Sequence, residues 1–165
     1  MRKVSGWRTE HPLEFAKLGL RYGVDQAPEK VSRSPWYSTL CPREADVLIA
    51  ACKRKEELEK EGKVVVCADI GQDLKRYRLA VNDKDMHFAS TPSMITWLFA
   101  LEGSDVPPNR QRNRLLIGQE ALSTHGIPWE KHIMSGTLPN RSLIHMGGNA
   151  FGTTIVAAHM ITVSN

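Results

Sequence analysis

The sequence has few cysteines and no pattern that would pair them. Its 165 residues contain only Cys41, Cys52 and Cys67. An odd number of cysteines without a Cys-x-x-Cys pair supports neither a disulfide framework nor a four-thiolate zinc site. We therefore expect an intracellular protein in a reducing compartment, either nuclear or cytoplasmic.

Long apolar segments are also lacking. The sequence contains no run of about 18 apolar residues, the length that would cross a membrane. Residues 1–8 do not contain the apolar core of a secretory signal. We therefore expect no membrane partner. The histidines are scattered along the chain, so no metal site is assigned. The net charge of +4 is compatible with a nucleic-acid partner but does not by itself indicate one.

Local patterns predict one long helix in an otherwise mixed chain. Proline at position 42 suits the first helical position, and Glu44 follows in the first turn. These signals predict a helix over Pro42–Glu61 whose charged second half projects into solvent and ends at Gly62. Residues 1–38 show no sustained period, so they are predicted to be irregular, with a short helix near Leu13–Leu20.

The remaining elements are predicted to be short. The β-branched run Lys63–Ala68 and the segment Arg78–Val81 are predicted strands, and residues 103–113 a polar loop. A short helix is predicted over Ile117–His125, stopped by Gly126. A last helix over Ala150–Val163, preceded by the glycine turn of residues 147–149, is apolar on all sides and must be buried.

Residues 114–128 carry the first part of a family pattern. They follow the form R-x-L-T-P-R-E-x-x-R-L-Q-G-F-P at these positions: Arg114, Leu116, Glu120, Gly126 and Pro128. They depart from it at these positions: Ile117, Gly118, Gln119, Ser123, Thr124 and His125. The segment resembles the ninth motif of cytosine-C5 DNA methyltransferases.

Residues 148–151, followed by the apolar run 155–158, are similar to the tenth motif of the same family, G-N-[SA]-V and a helix. The order and separation of the two segments match those that close the family's catalytic domain. The resemblance implies that Gly148, Asn149 and Ala150 line part of an S-adenosylmethionine pocket. A glycine turn entering a helix would leave N–H groups free for such a ligand. The alternative is that the turn only starts a buried helix, with Asn149 as its cap.

The middle of the chain is similar to divergent members of the family, at residues 40–44, 69–76 and 91–93. The resemblance implies an α/β fold: the C-terminal portion of a Rossmann-like methyltransferase with a small mixed target-recognition region and an incomplete central sheet. It divides the chain into an irregular N-terminal segment (1–38), a target-recognition-like α+β region (39–113) and a C-terminal methyltransferase motif region (114–165).

The groups that carry the family's chemistry are missing. Methyl transfer uses a cysteine nucleophile in a Pro-Cys-Gln segment, a glutamate in a Glu-Asn-Val segment and a Phe-x-Gly-x-Gly cofactor loop. None of these occurs in the chain. Cys41 precedes a proline and is interpreted as a helix N-cap, whereas Cys52 and Cys67 are interpreted as small core residues. No catalytic residue is assigned. We expect an inactive fragment or split subunit that self-associates or binds a chain carrying the missing motifs.

Three arginines make one short segment the most basic in the chain: Arg110, Arg112 and Arg114. We expect them to contact DNA phosphates, which gives weak and largely sequence-independent binding. For Arg114, a solvated surface charge is the alternative.

Two other functions remain open. The first is a non-catalytic nucleic-acid-binding or protein-interaction module descended from a methyltransferase. Residues 40–48 also resemble the first helix of a bacterial response-regulator DNA-binding domain. Such a domain would need a recognition helix within about twenty residues, where the sequence predicts a strand.

Overall fold

The computed structural model describes residues 6–21, 24–75, 78–82, 94–103, 106, 108, 110–124 and 138–149. The chain divides into two compact units. The first comprises Met1–Phe88 and Ile95–Leu115, and the second Ala89–Met94 and Leu116–Asn165.

The longest helix of the first unit, α4, spans Pro42–Lys60 and confirms the predicted helix to within one residue. Its start is fixed by a capping box. Cys41 Sγ accepts the N–H of Glu44 at 3.5 Å, and Glu44 Oε2 accepts the N–H of Cys41 at 2.8 Å. The interpretation of Cys41 as an N-cap is therefore confirmed. In the described residues before α4 lie three short α-helices and one 3-10 helix: α1 Gly6–Glu10, α2 Pro12–Ala16, α3 Glu29–Ser32 and the 3-10 helix Pro35–Thr39.

The end of α4 is fixed by glycine geometry. Gly62 has a φ of 78°, which side-chain-bearing residues rarely adopt. The N–H of Lys63 bonds to the carbonyl of Leu58 at 3.0 Å, and the N–H of Gly62 to that of Glu59 at 3.0 Å. These two backbone hydrogen bonds together form a Schellman motif. Residues 46–52 of α4 are buried, whereas Leu58 alone is buried in its charged second half.

The first unit contains a sheet of four short strands in the order β2-β1-β3-β4, all antiparallel. The strands are β1 Cys67–Asp69, β2 Ala80–Val81, β3 Thr96–Leu98 and β4 Arg114–Leu115. The coarse expectation of a mixed α and β fold is therefore confirmed. The described strands are antiparallel, so they are not the parallel sheet of a Rossmann-like fold, and that part of the fold class stays a prediction.

Strand positions differ from the sequence prediction by a few residues. The run Lys63–Ala68 becomes a strand only at Cys67, where pairing with β3 begins at Leu98. The predicted strand Arg78–Val81 is reduced to Ala80–Val81. Because α4 leads into β1 and no second helix lies between them, the arrangement of a response-regulator DNA-binding domain is not found.

One face of the sheet packs against α4. Ala68 of β1 and Trp97 of β3 pair in register, and both are 0% exposed. They belong to the same buried cluster as Val47 and Leu48 of α4. The N-terminal segment, predicted to be irregular, also places Leu18 and Val31 in this cluster. The core of the first unit therefore includes residues from both sides of the expected boundary at residue 38.

Polar contacts hold the N-terminal helices to α4. The Asp46 carboxylate accepts hydrogen bonds from Trp7 Nε1 at 3.0 Å and from Arg8 Nε at 2.6 Å. A second guanidinium nitrogen of Arg8 completes the ion pair with Asp46. Arg43 Nε donates to Glu14 Oε1 at 2.9 Å. Both α4 residues therefore bind partners about thirty to forty positions earlier in the chain, which only tertiary structure brings together.

The second unit pairs two helices, α5 Gly118–Ser123 and α6 Asn140–Asn149. They approach closely at Gly118, where an added Cβ would lie 2.3 Å from the Cβ of Leu143. At Gly147, an added Cβ would lie 3.2 Å from the backbone of Ala121. The lack of a side chain at both glycines therefore permits close contact between α5 and α6. The predicted helix Ile117–His125 is confirmed over its described part, and His125 lies outside the described residues.

The glycine turn predicted at residues 147–149 is not found. These residues lie within α6 and are helical, so they do not form a turn that precedes a helix. Close packing against α5 explains Gly147, whose side-chain position is occupied by Ala121. The predicted helix Ala150–Val163 lies outside the described residues.

Candidate nucleic-acid interface

A pocket of about 840 Å³ lies within the first unit. Lys30 and residues 33–36 form one side, and residues 100–102, 108 and 111–114 form the other. Four basic side chains line it: Lys30, Arg33, Arg112 and Arg114. Trp36 and the acidic side chain of Glu102 line it as well. The predicted arginine segment therefore contributes to a larger basic site.

Asn113 joins the two sides of the pocket. Its carbonyl accepts the Ser34 hydroxyl at 2.6 Å, and its side-chain nitrogen donates to the carbonyl of Lys30 at 3.1 Å. Its side-chain oxygen accepts the N–H of Ala100 at 3.1 Å. Ser34 is 9% exposed, so its bond is largely shielded from water. These bonds fix residues 112–114 relative to residues 30–36 before any ligand arrives.

Two of the basic side chains are paired with exposed carboxylates. Lys30 lies 2.9 Å from Glu102, with side-chain exposures of 81% and 85%. The hydrogen bond and charge of this contact raise the pKa of Lys30 and lower the pKa of Glu102. Arg33 pairs with Glu29, also on the surface. Such exposed pairs contribute little free energy, so a phosphate can replace either carboxylate. Arg112 is exposed.

Trp36 places an aromatic ring beside these cations. It lies in the 3-10 helix and remains 36% exposed, so part of its indole is open to a ligand. The helix around it is held by local bonds. Tyr37 N–H donates to the Ser34 carbonyl at 3.0 Å, and the Ser38 hydroxyl donates to the Pro35 carbonyl at 2.8 Å. The indole is therefore presented from a constrained backbone.

Arg110 does not line this pocket. Its carbonyl accepts the N–H of Leu101 at 2.9 Å, and its charge acts on the buried thiol of Cys67. Burial raises the pKa of Cys67 to about 11, with Arg110 opposing that rise. Of the three arginines predicted to contact DNA, Arg112 and Arg114 are thus brought together and Arg110 is directed elsewhere. Their contact with DNA stays a prediction.

Two of the three cysteines offer little nucleophilic chemistry because they are buried. Cys52 and Cys67 are 4% and 1% exposed, which confirms them as core residues. Burial raises the pKa of Cys52 to about 12 and that of Cys67 to about 11, so both are thiols at neutral pH. Within the described residues, no group of three or more histidine, cysteine and acidic side chains is placed to hold a metal ion.

The residues predicted to line a cofactor pocket are only partly described. Gly148 is half-buried within α6. The N–H groups near the end of an α-helix bond to carbonyls four residues earlier, so Gly148 and Asn149 do not present free backbone donors. Ala150 lies outside the described residues. Contact of these three residues with S-adenosylmethionine therefore stays a prediction.

The sequence did not predict the part of the pocket that lies far from the arginines along the chain. Lys30, Arg33 and Trp36 fall in the segment predicted to be irregular, and no local signal connects them to residues 112–114. Their only sequence signal is the combination of cations and tryptophan within seven positions, which is common on protein surfaces.

No helix among the described ranges has both the length and the apolar character needed to cross a membrane. Comparison of the chain with protein-family models, curated proteins and solved structures finds no match. The resemblance to cytosine-C5 DNA methyltransferases therefore depends on the motifs in residues 114–128 and 148–158.

Proposed function

We propose that the chain is the nucleic-acid-contacting C-terminal part of a cytosine-C5 DNA methyltransferase, without methyl-transfer activity of its own. One observation carries the nucleic-acid part of this proposal: Arg112 and Arg114 share a pocket with Lys30, Arg33 and Trp36. The methyltransferase part is supported by the two C-terminal motifs. The missing nucleophile and cofactor loop are the reason for expecting no activity from the chain alone.

The charges of the pocket favour a polyanion. Among the described residues, its lining contains four basic side chains and one acidic side chain, Glu102. Glu102 is fully exposed beside Lys30, so it competes with phosphate only weakly. Arginine suits this task because its planar guanidinium donates two parallel hydrogen bonds to phosphate oxygens. Contacts of this kind position a nucleic acid without selecting its sequence.

Salt dependence gives the proposal a quantitative form. Each phosphate contact releases counterions, so three contacts would lower affinity for duplex DNA about forty-fold between roughly 50 and 200 mM salt. The test is fluorescence anisotropy with a labelled duplex across this range. Arg33→Ala combined with Arg112→Ala should weaken binding about ten-fold or more and reduce the salt slope by about 1.8.

A matched control uses the same charge change on α4. Arg54 forms an exposed pair with Glu57, as Arg33 does with Glu29, and Lys60 is exposed like Arg112. The variant Arg54→Ala with Lys60→Ala should keep near-normal affinity. An equal loss in both double variants would mean that only net charge matters, and the pocket would have no special role.

The cofactor role of Gly148, Asn149 and Ala150 depends on a second chain. Gly148 and Asn149 lie in α6, where their N–H groups bond within the helix. We therefore expect a cofactor pocket only together with a chain that carries the missing motifs. No step of the proposed function is assigned to the cofactor.

A non-catalytic nucleic-acid-binding module descended from a methyltransferase is the second candidate, and the same pocket supports it. The two candidates differ in their response to a partner. Calorimetric titration with S-adenosylmethionine separates the two candidates. The titration is done on a mixture of this chain with a chain that carries the missing motifs, and on the second chain alone. Tighter cofactor binding in the mixture favours the split enzyme, and unchanged binding favours the module.

A further inference from the structure

We infer that the pocket of Lys30, Arg33, Trp36 and Arg112 binds an unpaired nucleotide and therefore favours single-stranded over duplex nucleic acid. This inference rests on the nucleic-acid binding proposed above and names the form of nucleic acid that the pocket takes. In it, the indole of Trp36 stacks on a base, while Arg33 and Arg112 contact the flanking phosphates.

The first argument is the combination of ring and charge. Proteins that bind single strands place aromatic side chains along a basic groove, because every base offers a π-face and every linkage a phosphate. Trp36, Arg33 and Arg112 line one pocket in this way. A purely electrostatic duplex site has no use for an exposed indole, since duplex bases already stack on one another and offer no free face.

The second argument is preorganisation. Trp36 follows Pro35, whose ring fixes its own φ. The hydroxyls of Ser38 and Thr39, later in the same helix, donate to backbone carbonyls. The Thr39 hydroxyl donates to the carbonyl of Trp36 itself at 2.7 Å. Asn113 holds the opposite side of the pocket through its bonds to residues 30 and 34. Binding therefore requires little ordering of the backbone, which favours affinity.

The third argument is size. A volume of about 840 Å³ lies within the roughly 300–1,000 Å³ typical of pockets for small ligands, so the pocket can admit a base with its sugar. The Lys30 and Glu102 side chains at its edge are more than 80% exposed and can move aside. The phosphates on either side of that base would then meet Arg33 and Arg112.

The test uses three labelled ligands: a thymidine strand, a strand with the same backbone but without bases, and a duplex. All three have the same length of about twelve nucleotides, which lies within the site sizes of single-strand binders. Anisotropy should give the tightest binding for the thymidine strand. Trp36→Ala should weaken that binding by about five-fold to a hundred-fold, the equivalent of one stacked base. Its affinity for the abasic strand and the duplex should stay within about two-fold, and Trp36→Phe should restore much of the loss.

Leu13→Ala is the control for loss of an exposed apolar side chain, since Leu13 is 83% exposed and does not line the pocket. Circular dichroism and thermal melting should show that the Trp36 variants remain folded. Equal binding of thymidine and abasic strands, or equal effects of Trp36→Ala on single strand and duplex, would overturn the inference. The proposed function would still stand if Arg33→Ala with Arg112→Ala weakened all three ligands, whereas it fails if that variant weakens none.

Discussion

Replacement of Asp46 by alanine tests how the N-terminal helices are held against α4. Asp46 is 2% exposed and accepts hydrogen bonds from Trp7 Nε1 at 3.0 Å and Arg8 Nε at 2.6 Å. The Arg8 side chain is 16% exposed in this ion pair. Without the carboxylate, the guanidinium loses its counter-charge while it remains largely shielded from water, and the indole N–H loses its acceptor.

The expected cost follows from that geometry. Removing one partner of a buried ion pair destabilises a protein by about 3–5 kcal/mol. The partial exposure of Arg8 lets its guanidinium reach water if α1 shifts, which limits the cost. Such a shift would loosen the apolar packing of Trp7 and Phe15 against the core, so the relief is incomplete. We therefore expect Asp46→Ala to lower the free energy of unfolding by about 3 kcal/mol, the low end of that range.

Urea denaturation measures the change in the free energy of unfolding, and hydrogen exchange of the α4 amides assigns that change to the first unit. The pair Arg8→Ala and Asp46→Ala should couple by about 1–3 kcal/mol in a double-mutant cycle. Glu57→Ala is the control because it removes an exposed carboxylate from the same helix, and its effect should stay within about 0.5 kcal/mol. A cost for Asp46→Ala no larger than this control, or additive single effects, would refute the argument.

Two further predictions concern buried groups. Cys67 has a pKa of about 11 in the folded chain against 9.0 as its reference value, so its contribution to stability is complete below pH 9 and is lost as pH rises from about 9 to 11. Urea unfolding from pH 8 to 11 should show a steeper decline for the natural chain than for Cys67→Ala. Gly118→Ala would force a Cβ to 2.3 Å from that of Leu143, and this should cost about 1–3 kcal/mol. Exchange of α6 amides should rise in this variant but not in Ser123→Ala, which changes an exposed residue of α5.

Local sequence signals predicted those elements whose boundaries are set locally. Helix α4 was predicted because Pro42 and Glu44 fix its start and Gly62 fixes its end through contacts within a few residues. Strand β1 was displaced from its predicted position because pairing with β3, more than 25 residues later, decides which residues of the β-branched run become strand. β-propensity describes fit to such a neighbour and not a preference of the isolated chain.

Local sequence patterns could not predict the packing of the N-terminal segment or the formation of the pocket, for the same reason. The bond between Asn113 and the carbonyl of Lys30 joins residues 83 positions apart. The contact of Arg8 with Asp46 joins residues 38 positions apart. The sequence alone identifies the arginine-rich segment as basic. That Arg33 and Trp36 line the same pocket can be recognised only from the structure, in which these contacts bring the segments together.

Gly118 and Glu120 show how a family pattern and local packing can compete as explanations. Gly118 stands where the family pattern has proline, yet its N–H donates to Asn140 Oδ1 at 2.5 Å, a bond that proline cannot form. Glu120, which matches the pattern, accepts the N–H of Ile117 at 3.2 Å and so caps α5. Its presence is thus explained by helix capping without any contact to DNA. Loss of binding in a Glu120 variant would therefore not distinguish function from folding, whereas substitutions at exposed Arg33 and Arg112 change charge without removing a contact that builds the unit.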